Sequence, residues 1–304
     1  MKNKPTVTIG IPAYNEEANI GRLLSALLKQ KQENFILEKI IVVSDESTDK
    51  TEEIVKAIKD KRIELLRNRK RLGKSLSQNI IVKKLVSDYL VIFDADILPK
   101  TSGVLENILK PFIKNPKVGL VGGKVEAIKQ TTLFENVLNY SSHMKNEIYM
   151  ALNSGNNIYN CHGRIRAFSK KFAKSMKWQS VAGEDAFSYL SCISKGYQFQ
   201  YEPTAKVIYK LPNNLNDHLR QSVRFHSTKK HLEFFFGKEL VVSSYKIPPK
   251  LQFRVLLRNT KQDFRLTTLY LFLLLYSRVL SLVGDESKSK WKISTSSKNL
   301  ILNK

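Results

Sequence analysis

Residues 7–28 read VTIGIPAYNEEANIGRLLSALL and place a predicted strand directly before a predicted helix. The strand covers residues 7–13. The apolar side chains that follow recur every three or four residues, as on one face of an amphipathic helix. These side chains are Ile20, Leu23, Leu24, Leu27 and Leu28. Asn15 is the predicted N-cap of this helix, with Glu16 and Glu17 in the first turn, where acidic side chains are favourable.

The alternation of strand and helix continues through the first hundred residues. Further strands are predicted at 39–43, 62–66 and 89–93. Between them lie a helix capped by Thr48 or Asp49 and a second helix over residues 75–86. Strands separated by helices of this kind are joined by right-handed crossovers. The sequence therefore predicts an α/β fold with a mainly parallel, Rossmann-like sheet covered by helices.

The pattern beyond residue 100 is less regular. It predicts a strand at 118–125, a helix at 134–151, a basic amphipathic stretch at 163–176, a helix that starts near residue 184 and an extended segment at 199–209. From residue 217 onward the chain is predicted to be helical, basic and aromatic, with a break at Pro248 and Pro249. Residues 285–304 form a tail rich in Lys and Ser.

Polar residues follow three of the predicted strands. They are residues 12–15, Ser44 with Asp45, and Asp94 with Asp96. In open parallel sheets ligands bind at the carboxyl ends of the strands, so these residues mark the predicted site. Asp94 and Asp96 leave one strand end as alternate side chains and are candidates to bind Mg²⁺ or Mn²⁺. A DxD triplet is common by chance, and its position after the fourth strand makes it informative.

Other polar motifs have two interpretations. Lys74 follows a glycine in a loop, but a phosphate-binding loop of nucleotide hydrolases would need its first glycine at Asn68, which excludes that class. Lys74 and the basic residues 69–71 either meet a diphosphate or form a solvated loop. Glu184 and Asp185 precede an apolar helix as cap residues or as a general base. The histidines show no metal-binding spacing.

The composition restricts the class of protein. The chain has 304 residues, 42% hydrophobic, and a net charge of +24. Two cysteines, Cys161 and Cys192, exclude a disulfide framework and a multi-cysteine zinc site. The N-terminus has too short an apolar stretch for a secretory signal, so a cytoplasmic protein is expected. The charge predicts a nucleic acid, an anionic membrane or a phosphorylated small molecule as partner.

The C-terminal third is the most basic part of the chain. Residues 201–304 carry 19 basic and 7 acidic side chains, a net charge of +12. Residues 266–284 are rich in Leu, but their longest charge-free run has 12 residues and ends before Arg278. A bilayer span needs about 20 apolar residues. The sequence therefore favours a helix that packs on the protein or lies in the membrane interface over one that spans it.

Several motifs, taken in order, resemble those of family 2 glycosyltransferases with a GT-A fold. They are IPAYNEE (11–17), VVSDESTDKT (42–51), RLGKS (71–75) leading to Asn79, FDAD (93–96), GED (183–185), GYQFQYEPTAKV (196–207) and QSVRF (221–225). The resemblance covers roughly residues 5–225. It implies an inverting transferase that moves a sugar from a nucleotide-sugar donor to an acceptor hydroxyl.

The resemblance also implies residue roles. On the donor side, Pro12, Tyr14 and Glu16 line the nucleoside pocket, Asp45 contacts the base or ribose, and Lys74 lies near the nucleotide. Asp94 and Asp96 flank the donor diphosphate and hold the metal, Mg²⁺ or Mn²⁺. On the acceptor side, Asp185 is the base, Glu184 supports it, and Gln221 and Arg224 approach the diphosphate and the acceptor channel. A cation and Arg224 would stabilise the charge on the leaving diphosphate.

Four positions depart from the family pattern. Ser44 stands where a first Asp is usual, Glu46 where Gly is common, and Gly183 where Thr often precedes the acidic pair. Phe225 replaces the Trp of the QxxRW pattern. Polymerising members with that pattern usually carry several membrane spans, which this sequence lacks. A single-sugar, non-processive transfer is therefore expected.

These observations lead to one main prediction and two alternatives. The main prediction is a hexosyl or N-acetylhexosaminyl transferase that uses a UDP-sugar and a glycan or lipid-linked acceptor, peripheral to the inner face of the membrane. Its partners would be an anionic membrane surface and a membrane protein, with no nucleic acid. The alternatives are a polyprenyl-phosphate sugar transferase and a basic nucleic-acid-binding protein. The predicted domains are a catalytic unit at 1–215, a helical interfacial extension at 216–284 and the tail at 285–304.

Overall fold

A single sheet organises the fold of the computed structural model, which describes residues 4–180, 183–283 and 300, without the side chains of 220–227 and 280–283. Within these residues the sheet has eight strands in the order β3-β2-β1-β4-β7-β6-β8-β5. The strands are β1 Thr6–Ala13, β2 Ile36–Ser44, β3 Ile63–Arg67, β4 Tyr89–Phe93, β5 Ile97–Pro99, β6 Val118–Ala127, β7 Ile165–Ser169 and β8 Gln198–Tyr209. Strands β3, β2, β1 and β4 are mutually parallel, which confirms the mainly parallel α/β prediction.

Helices cover both faces of the sheet. They are α1 Ile20–Leu28, α2 Thr51–Ala57, α3 Lys74–Lys84, α4 Val104–Lys114, α5 Leu133–Ala151, α6 Lys170–Ser175, α7 Glu184–Ser194, α8 Leu215–Phe236, α9 Lys238–Ser244, α10 Pro249–Gln262 and α11 Phe264–Val283. Successive strand residues point to opposite faces, so Val42 joins the core under α1 and α4 while Val43 joins the core under α3 and α7. The strands are therefore apolar on both sides, as parallel strands require.

The second half of the sheet differs from the sequence prediction. Strand β7 runs antiparallel to both β4 and β6, and the short strand β5 pairs antiparallel with β8. The predicted basic amphipathic stretch at 163–176 is instead the buried strand β7 followed by α6. Strand β5 and helix α4 were not predicted. The pairing partner of β5, strand β8, lies far away in sequence. Helix α4, in contrast, has buried apolar residues at helical spacing, so local periodicity does indicate it: Val104, Leu105, Ile108, Leu109 and Phe112.

The predicted N-cap of α1 is wrong. The helix begins at Ile20 with Asn19 in the cap position, whereas Asn15 has a φ of 51°. The side-chain oxygen of Asn15 accepts the backbone N–H of Thr48 at 2.8 Å. Asn15 thus ties the loop after β1 to the loop after β2 instead of capping a helix. The cap predicted for the next helix, Thr48 or Asp49, is also displaced, because Lys50 is in the cap position of α2. Oδ1 of Asp49 nevertheless accepts the N–H of Thr51, the first residue of α2, at 3.0 Å.

The C-terminal helices pack on α5 and form a separate apolar cluster. Its buried members are Val137, Met144, Val255 and Tyr270. The hydroxyl of Tyr140 donates to the carbonyl of Asn259 at 2.7 Å and so fastens α5 to α10. None of the described helices is both long and apolar enough to cross a membrane. The predicted tail at 285–304 lies outside the described residues except for Leu300, which is buried against α1.

Candidate active site

Three side chains that are distant in sequence meet at the carboxyl edge of the sheet. Lys74 is the first residue of α3, Asp94 follows β4, and Glu184 is the first residue of α7. The ammonium of Lys74 lies 2.5 Å from Oδ1 of Asp94 and 2.5 Å from Oε1 of Glu184. The side chains of Lys74 and Asp94 retain 16% and 22% exposure, so solutes can reach both of them.

A buried arginine, Arg166, contacts Glu184 from the interior of the protein. Arg166 on β7 is fully buried, and its Nη2 lies 3.6 Å from Oε1 of Glu184. Its Nη1 donates to the carbonyl of Glu184 at 2.9 Å and to Oγ of Ser188 at 2.7 Å. Trp178 donates to the same hydroxyl at 3.0 Å. Arg166 was not predicted as a site residue, because the sequence pattern placed it in a basic amphipathic stretch at 163–176 and not in a buried strand.

This environment gives the adjacent side chains of Glu184 and Asp185 different pKa values. Burial would raise the pKa of Glu184, but the charges of Lys74 and Arg166 outweigh it and lower that pKa to about 2. Burial and the nearby charge of Glu184 raise the pKa of Asp185 above its ordinary value. Glu184 is therefore a fixed anion, whereas Asp185 has the greater affinity for a proton.

Asp185 is held in place by backbone amides. Its Oδ2 accepts the N–H of Gly163 at 3.2 Å and its Oδ1 accepts the N–H of Ala186 at 2.8 Å. A Cβ at Gly163 would lie 2.9 Å from Oε1 of Glu184 and 3.0 Å from Nζ of Lys74, so any other residue there would displace these side chains. Sequence analysis missed Gly163, since nothing in the sequence shows that its backbone contacts this cluster.

Asp45 organises the loop that leads into α3. This buried carboxylate accepts the N–H groups of Leu72 and Gly73, each at 2.8 Å, and the side-chain amide of Asn68 at 2.7 Å. The loop in turn positions Lys74 at the start of the helix. The structure therefore links Asp45 to Lys74 through the backbone, while the predicted contact of Asp45 with a base or ribose stays a prediction.

The other predicted donor residues lie around the end of β1. The guanidinium of Arg71 stacks on the ring of Tyr14, 3.9 Å from its centroid. Pro12 is paired with Val43 of β2, and Oε2 of Glu16 accepts the side-chain amide of Asn19 at 3.1 Å. Gln221 and Arg224 are on α8, but their side chains lie outside the described residues. Their roles remain predictions.

Comparison with known protein families identifies the family of this chain. A model of glycosyl transferase family 2 matches residues 8–176, more than half of the chain. The chain belongs to glycosyltransferase family 2. It is therefore a glycosyltransferase, and the resemblance drawn from its ordered motifs is confirmed.

Relatives of this glycosyltransferase include proteins of bacteria and archaea. An uncharacterized glycosyltransferase of Methanocaldococcus jannaschii is 27% identical over 224 residues, 70% of this chain and 73% of that protein. One of Haemophilus influenzae is 36% identical over 132 residues, 42% of this chain and 39% of its own length. The poly-β-1,6-N-acetyl-D-glucosamine synthase of Staphylococcus aureus is 26% identical over 230 residues, 72% of this chain and 53% of the synthase. The match thus spans about half or less of two of these relatives.

Solved structures confirm the GT-A fold of this glycosyltransferase. A Pyrobaculum calidifontis mannosyltransferase in complex with GDP-mannose and Mn²⁺ has a TM-score of 0.57 at 19% identity and covers 93% of this chain and 77% of its own. A Mycobacterium tuberculosis glucosyl-3-phosphoglycerate synthase with Mn²⁺, UDP and phosphoglyceric acid has a TM-score of 0.55 at 14% identity, covering 81% of each chain.

The donor set of this glycosyltransferase fits a divalent cation bound largely by its substrate. Within the described part of the chain no three His, Cys, Asp or Glu side chains converge on one metal position. Mg²⁺ in phosphate-transfer sites is often held by one or two carboxylates, with phosphate and water oxygens as the other ligands. Asp94 and Asp96 supply that number, and the charge of Asp96 contributes to the raised pKa of Asp94, after burial.

The formal charge of the cluster also favours binding of a divalent cation. Four carboxylates, including Asp96 and Asp185, face two cations, Lys74 and Arg166, which leaves a formal charge of −2. A nucleoside diphosphate is itself an anion, so it would be repelled from this edge without additional positive charge. A divalent cation would neutralise the excess.

Gly183 explains one departure from the family pattern. Its φ is +84°, a conformation that side chains with a Cβ rarely adopt, and a Cβ there would lie 2.4 Å from Cγ2 of Thr228 on α8. This glycine therefore lets α8 approach the start of α7 directly before the acidic pair. A threonine at position 183 would require the side chain of Thr228 to move.

We expect replacement of Gly183 by alanine to lower stability by about 1–3 kcal/mol, because it adds backbone strain and a contact with Thr228. The Gly196→Ala variant is the matched control: its φ is +76° and nothing lies within 4 Å of the new Cβ. Calorimetric unfolding should show the larger loss at Gly183. A Thr228→Ser change should recover part of it, and equal losses at both glycines would contradict the close contact.

Proposed function

We propose that this protein transfers a sugar from a nucleotide-diphosphate sugar, with UDP as the favoured nucleoside diphosphate, to a hydroxyl of a glycan or lipid-linked acceptor with inversion. The observation that carries the proposal is the bridge formed by Lys74. One ammonium joins Asp94, on the predicted donor side, to Glu184, which immediately precedes the proposed base. The donor phosphates and the acceptor hydroxyl would thereby be brought to opposite sides of one cluster.

Asp185 is the proposed general base. Inverting transfer is a direct displacement, in which the acceptor oxygen attacks the anomeric carbon while its proton passes to a carboxylate. A base with a raised pKa accepts that proton more readily than an ordinary aspartate. Glu184, held as an anion by Lys74 and Arg166, raises the proton affinity of Asp185. Glu184 thus acts through its neighbour as a positioning and electrostatic residue.

Asp94 and Asp96 are the proposed ligands of Mg²⁺ or Mn²⁺. When bound, the cation would stabilise negative charge on the departing diphosphate. Lys74 offers a second positive charge on the same side of the cluster, and Arg224 is the proposed third. The solved mannosyltransferase and glucosyl-3-phosphoglycerate synthase, whose complexes contain Mn²⁺ with GDP-mannose or UDP, support this arrangement.

A panel of nucleotide sugars tests the proposed function. Each donor is incubated with the enzyme with and without Mn²⁺, and release of nucleoside diphosphate is measured. A UDP-sugar should give the highest rate, and excess chelator should abolish it. Full activity in chelator would overturn the metal assignment, and release from a GDP-sugar alone would replace the favoured nucleotide.

We further propose that helices α10 and α11 attach the enzyme to an anionic membrane surface. Their outward side chains include eight large apolar groups, each 41–70% exposed: Phe253, Leu257, Phe264, Leu271, Phe272, Leu275, Tyr276 and Val279. Exposed cations accompany them at Lys250, Arg254, Arg258, Lys261, Arg265 and Arg278. Apolar side chains beside exposed cations suit the headgroup region of an anionic bilayer. The extension at 216–284 and a peripheral position at the inner membrane face follow from this proposal.

We expect Phe272→Glu to weaken binding to phosphatidylglycerol vesicles about tenfold or more, since burying a large apolar side chain contributes about 1.5–3 kcal/mol. The Ile113→Glu variant is a matched control, because Ile113 is 60% exposed on α4, outside this pair of helices. Co-sedimentation at low salt measures the binding. Equal binding by the wild type and Phe272→Glu would remove α11 as the attachment surface.

A further inference from the structure

Lys145 on α5 is a half-buried cation that has no counter-charge among the residues that the structure describes. Its ammonium lies 5.4 Å from the centroid of the Tyr270 ring on α11. No carboxylate among the described residues pairs with it, and burial alone lowers its pKa. The undescribed side chains of residues 220–227 on α8 include no Asp or Glu. Lys145 therefore differs from Lys74, which has two carboxylate partners.

An unpaired ammonium in this position is costly to the free protein. Removing a charge from water without a partner is strongly unfavourable. The ring of Tyr270 offsets only part of that cost. Nearby His218 adds no charge at neutral pH, because burial and the charge of Lys145 lower the pKa of His218 to about 4. Lys145 and Arg278 of α11, whose charge also acts on Tyr270, thus supply positive charge at this junction of α5, α8 and α11, which suits an anion that enters from outside.

Aromatic side chains connect Lys145 with the acidic pair. Tyr149 lies one helical turn beyond Lys145 and stacks on Tyr159, with ring centroids 4.5 Å apart. Tyr159 meets Tyr245 edge to face at 5.7 Å, and its hydroxyl donates to the carbonyl of Tyr245 at 2.7 Å. Cys161, two residues after Tyr159, donates its thiol to the carbonyl of Asp185 at 3.4 Å, so this series of rings lies close to the proposed base. The charge of Asp185 accordingly contributes, after burial, to the raised pKa of Tyr245.

We propose that Lys145 binds a phosphate-class anion carried by the acceptor, and that Tyr149, Tyr159 and Tyr245 line the path from this anion to the hydroxyl at Asp185. The inference rests on the proposed function, because Asp185 marks the acceptor end of the site. Tyrosine rings present apolar faces with polar edges, which suit a sugar or a prenyl chain. The acceptor class is accordingly a saccharide attached to a lipid through a phosphate or diphosphate.

Binding of farnesyl phosphate, with farnesol as its uncharged analogue, tests this inference. Titrations are performed calorimetrically with saturating UDP and Mn²⁺, so that the donor site is occupied. We expect Lys145→Met to weaken farnesyl phosphate binding about tenfold or more and to leave farnesol binding unchanged. Lys129→Met is the control, because Lys129 is exposed and outside this junction. It should bind both probes as the wild type does.

The stability of the Lys145→Met variant shows whether a loss of binding comes from a damaged fold. Lys145→Met should raise the melting temperature of the free protein, because it removes an unpaired charge, while farnesyl phosphate should stabilise the wild type more than the variant. Equal affinity of wild type and Lys145→Met for farnesyl phosphate would overturn the inference. The inference would also be overturned if Lys145→Met weakened binding only to phosphatidylglycerol vesicles or only to inorganic phosphate. These measurements need no turnover, so failure of sugar transfer would be a separate result.

Discussion

Asp185→Asn is expected to lower the transfer rate by about 10²–10⁴-fold and to leave the donor affinity nearly unchanged, because a general base contributes about that factor. Asparagine keeps the size of the side chain and can still accept an N–H from Gly163 or Ala186, the two groups that hold Asp185. It cannot take the proton of the acceptor hydroxyl. Steady-state rates and donor KM, measured through release of nucleoside diphosphate, separate these two effects.

The pH dependence supplies a second measurement of the same residue. Burial and the charge of Glu184 raise the pKa of Asp185 above 3.8, so the wild-type rate should fall as the pH decreases through that raised value and the base becomes protonated. The residual rate of Asp185→Asn should lack this inflection. Asp60→Asn is the control, because Asp60 pairs with Arg62 in a loop at 2.7 Å and should affect neither quantity.

Two outcomes would contradict the assignment of Asp185. Normal turnover by Asp185→Asn with a hydroxyl acceptor would remove it as the base. Normal turnover with a lipid phosphate alone would favour the polyprenyl-phosphate sugar transferase, because a phosphate acceptor needs no base to deprotonate it.

Lys74→Met is expected to lower kcat/KM for the donor by about 10²–10³-fold, since it removes a positive charge that we propose faces the donor phosphates in a partly buried site. The same change should strengthen Mn²⁺ binding, because Lys74 pairs with Asp94, the proposed metal ligand, and its loss makes the cluster more negative. Opposite shifts in donor transfer and metal affinity distinguish this electrostatic role from simple damage to the fold. Calorimetric titration with Mn²⁺ and donor kinetics measure the two quantities.

The matched control for Lys74 lies on the same helix. Lys84 is more than half exposed and its ammonium is 3.5 Å from Glu64, away from the cluster. Lys84→Met should therefore change neither Mn²⁺ affinity nor donor kinetics. Weaker binding of both Mn²⁺ and donor by Lys74→Met would contradict this electrostatic role of Lys74.

The opening half of the fold could be predicted from local patterns. The strand predicted at 89–93 coincides with β4, and the first three predicted strands differ from β1, β2 and β3 by only a few residues at their ends. Alternation and helical spacing involve residues that are close along the chain, and β1, β2 and β4 are largely buried on both faces, so the signal is strong. Asp94 was located for the same reason, because it directly follows a predictable strand.

Interactions between distant segments could not be predicted in this way. The direction of β7 depends on its partners β4 and β6. The position of Asn15 depends on Thr48, and the need for glycine at Gly183 depends on Thr228, in a helix far along the chain. Local propensity gives no information about these partners, so the predicted helix cap and the basic stretch at 163–176 were wrong.

The sequence by itself determined the α/β class, the order of the polar motifs and the family, because these depend on which residues stand near one another along the chain. The tertiary structure decided how two adjacent carboxylates differ. Glu184 and Asp185 are neighbours with nearly the same intrinsic acidity, yet Lys74 and Arg166 hold the pKa of the first at about 2 while the pKa of the second is raised. Electrostatic interactions depend on separation in space, and folding alone brings these charges together.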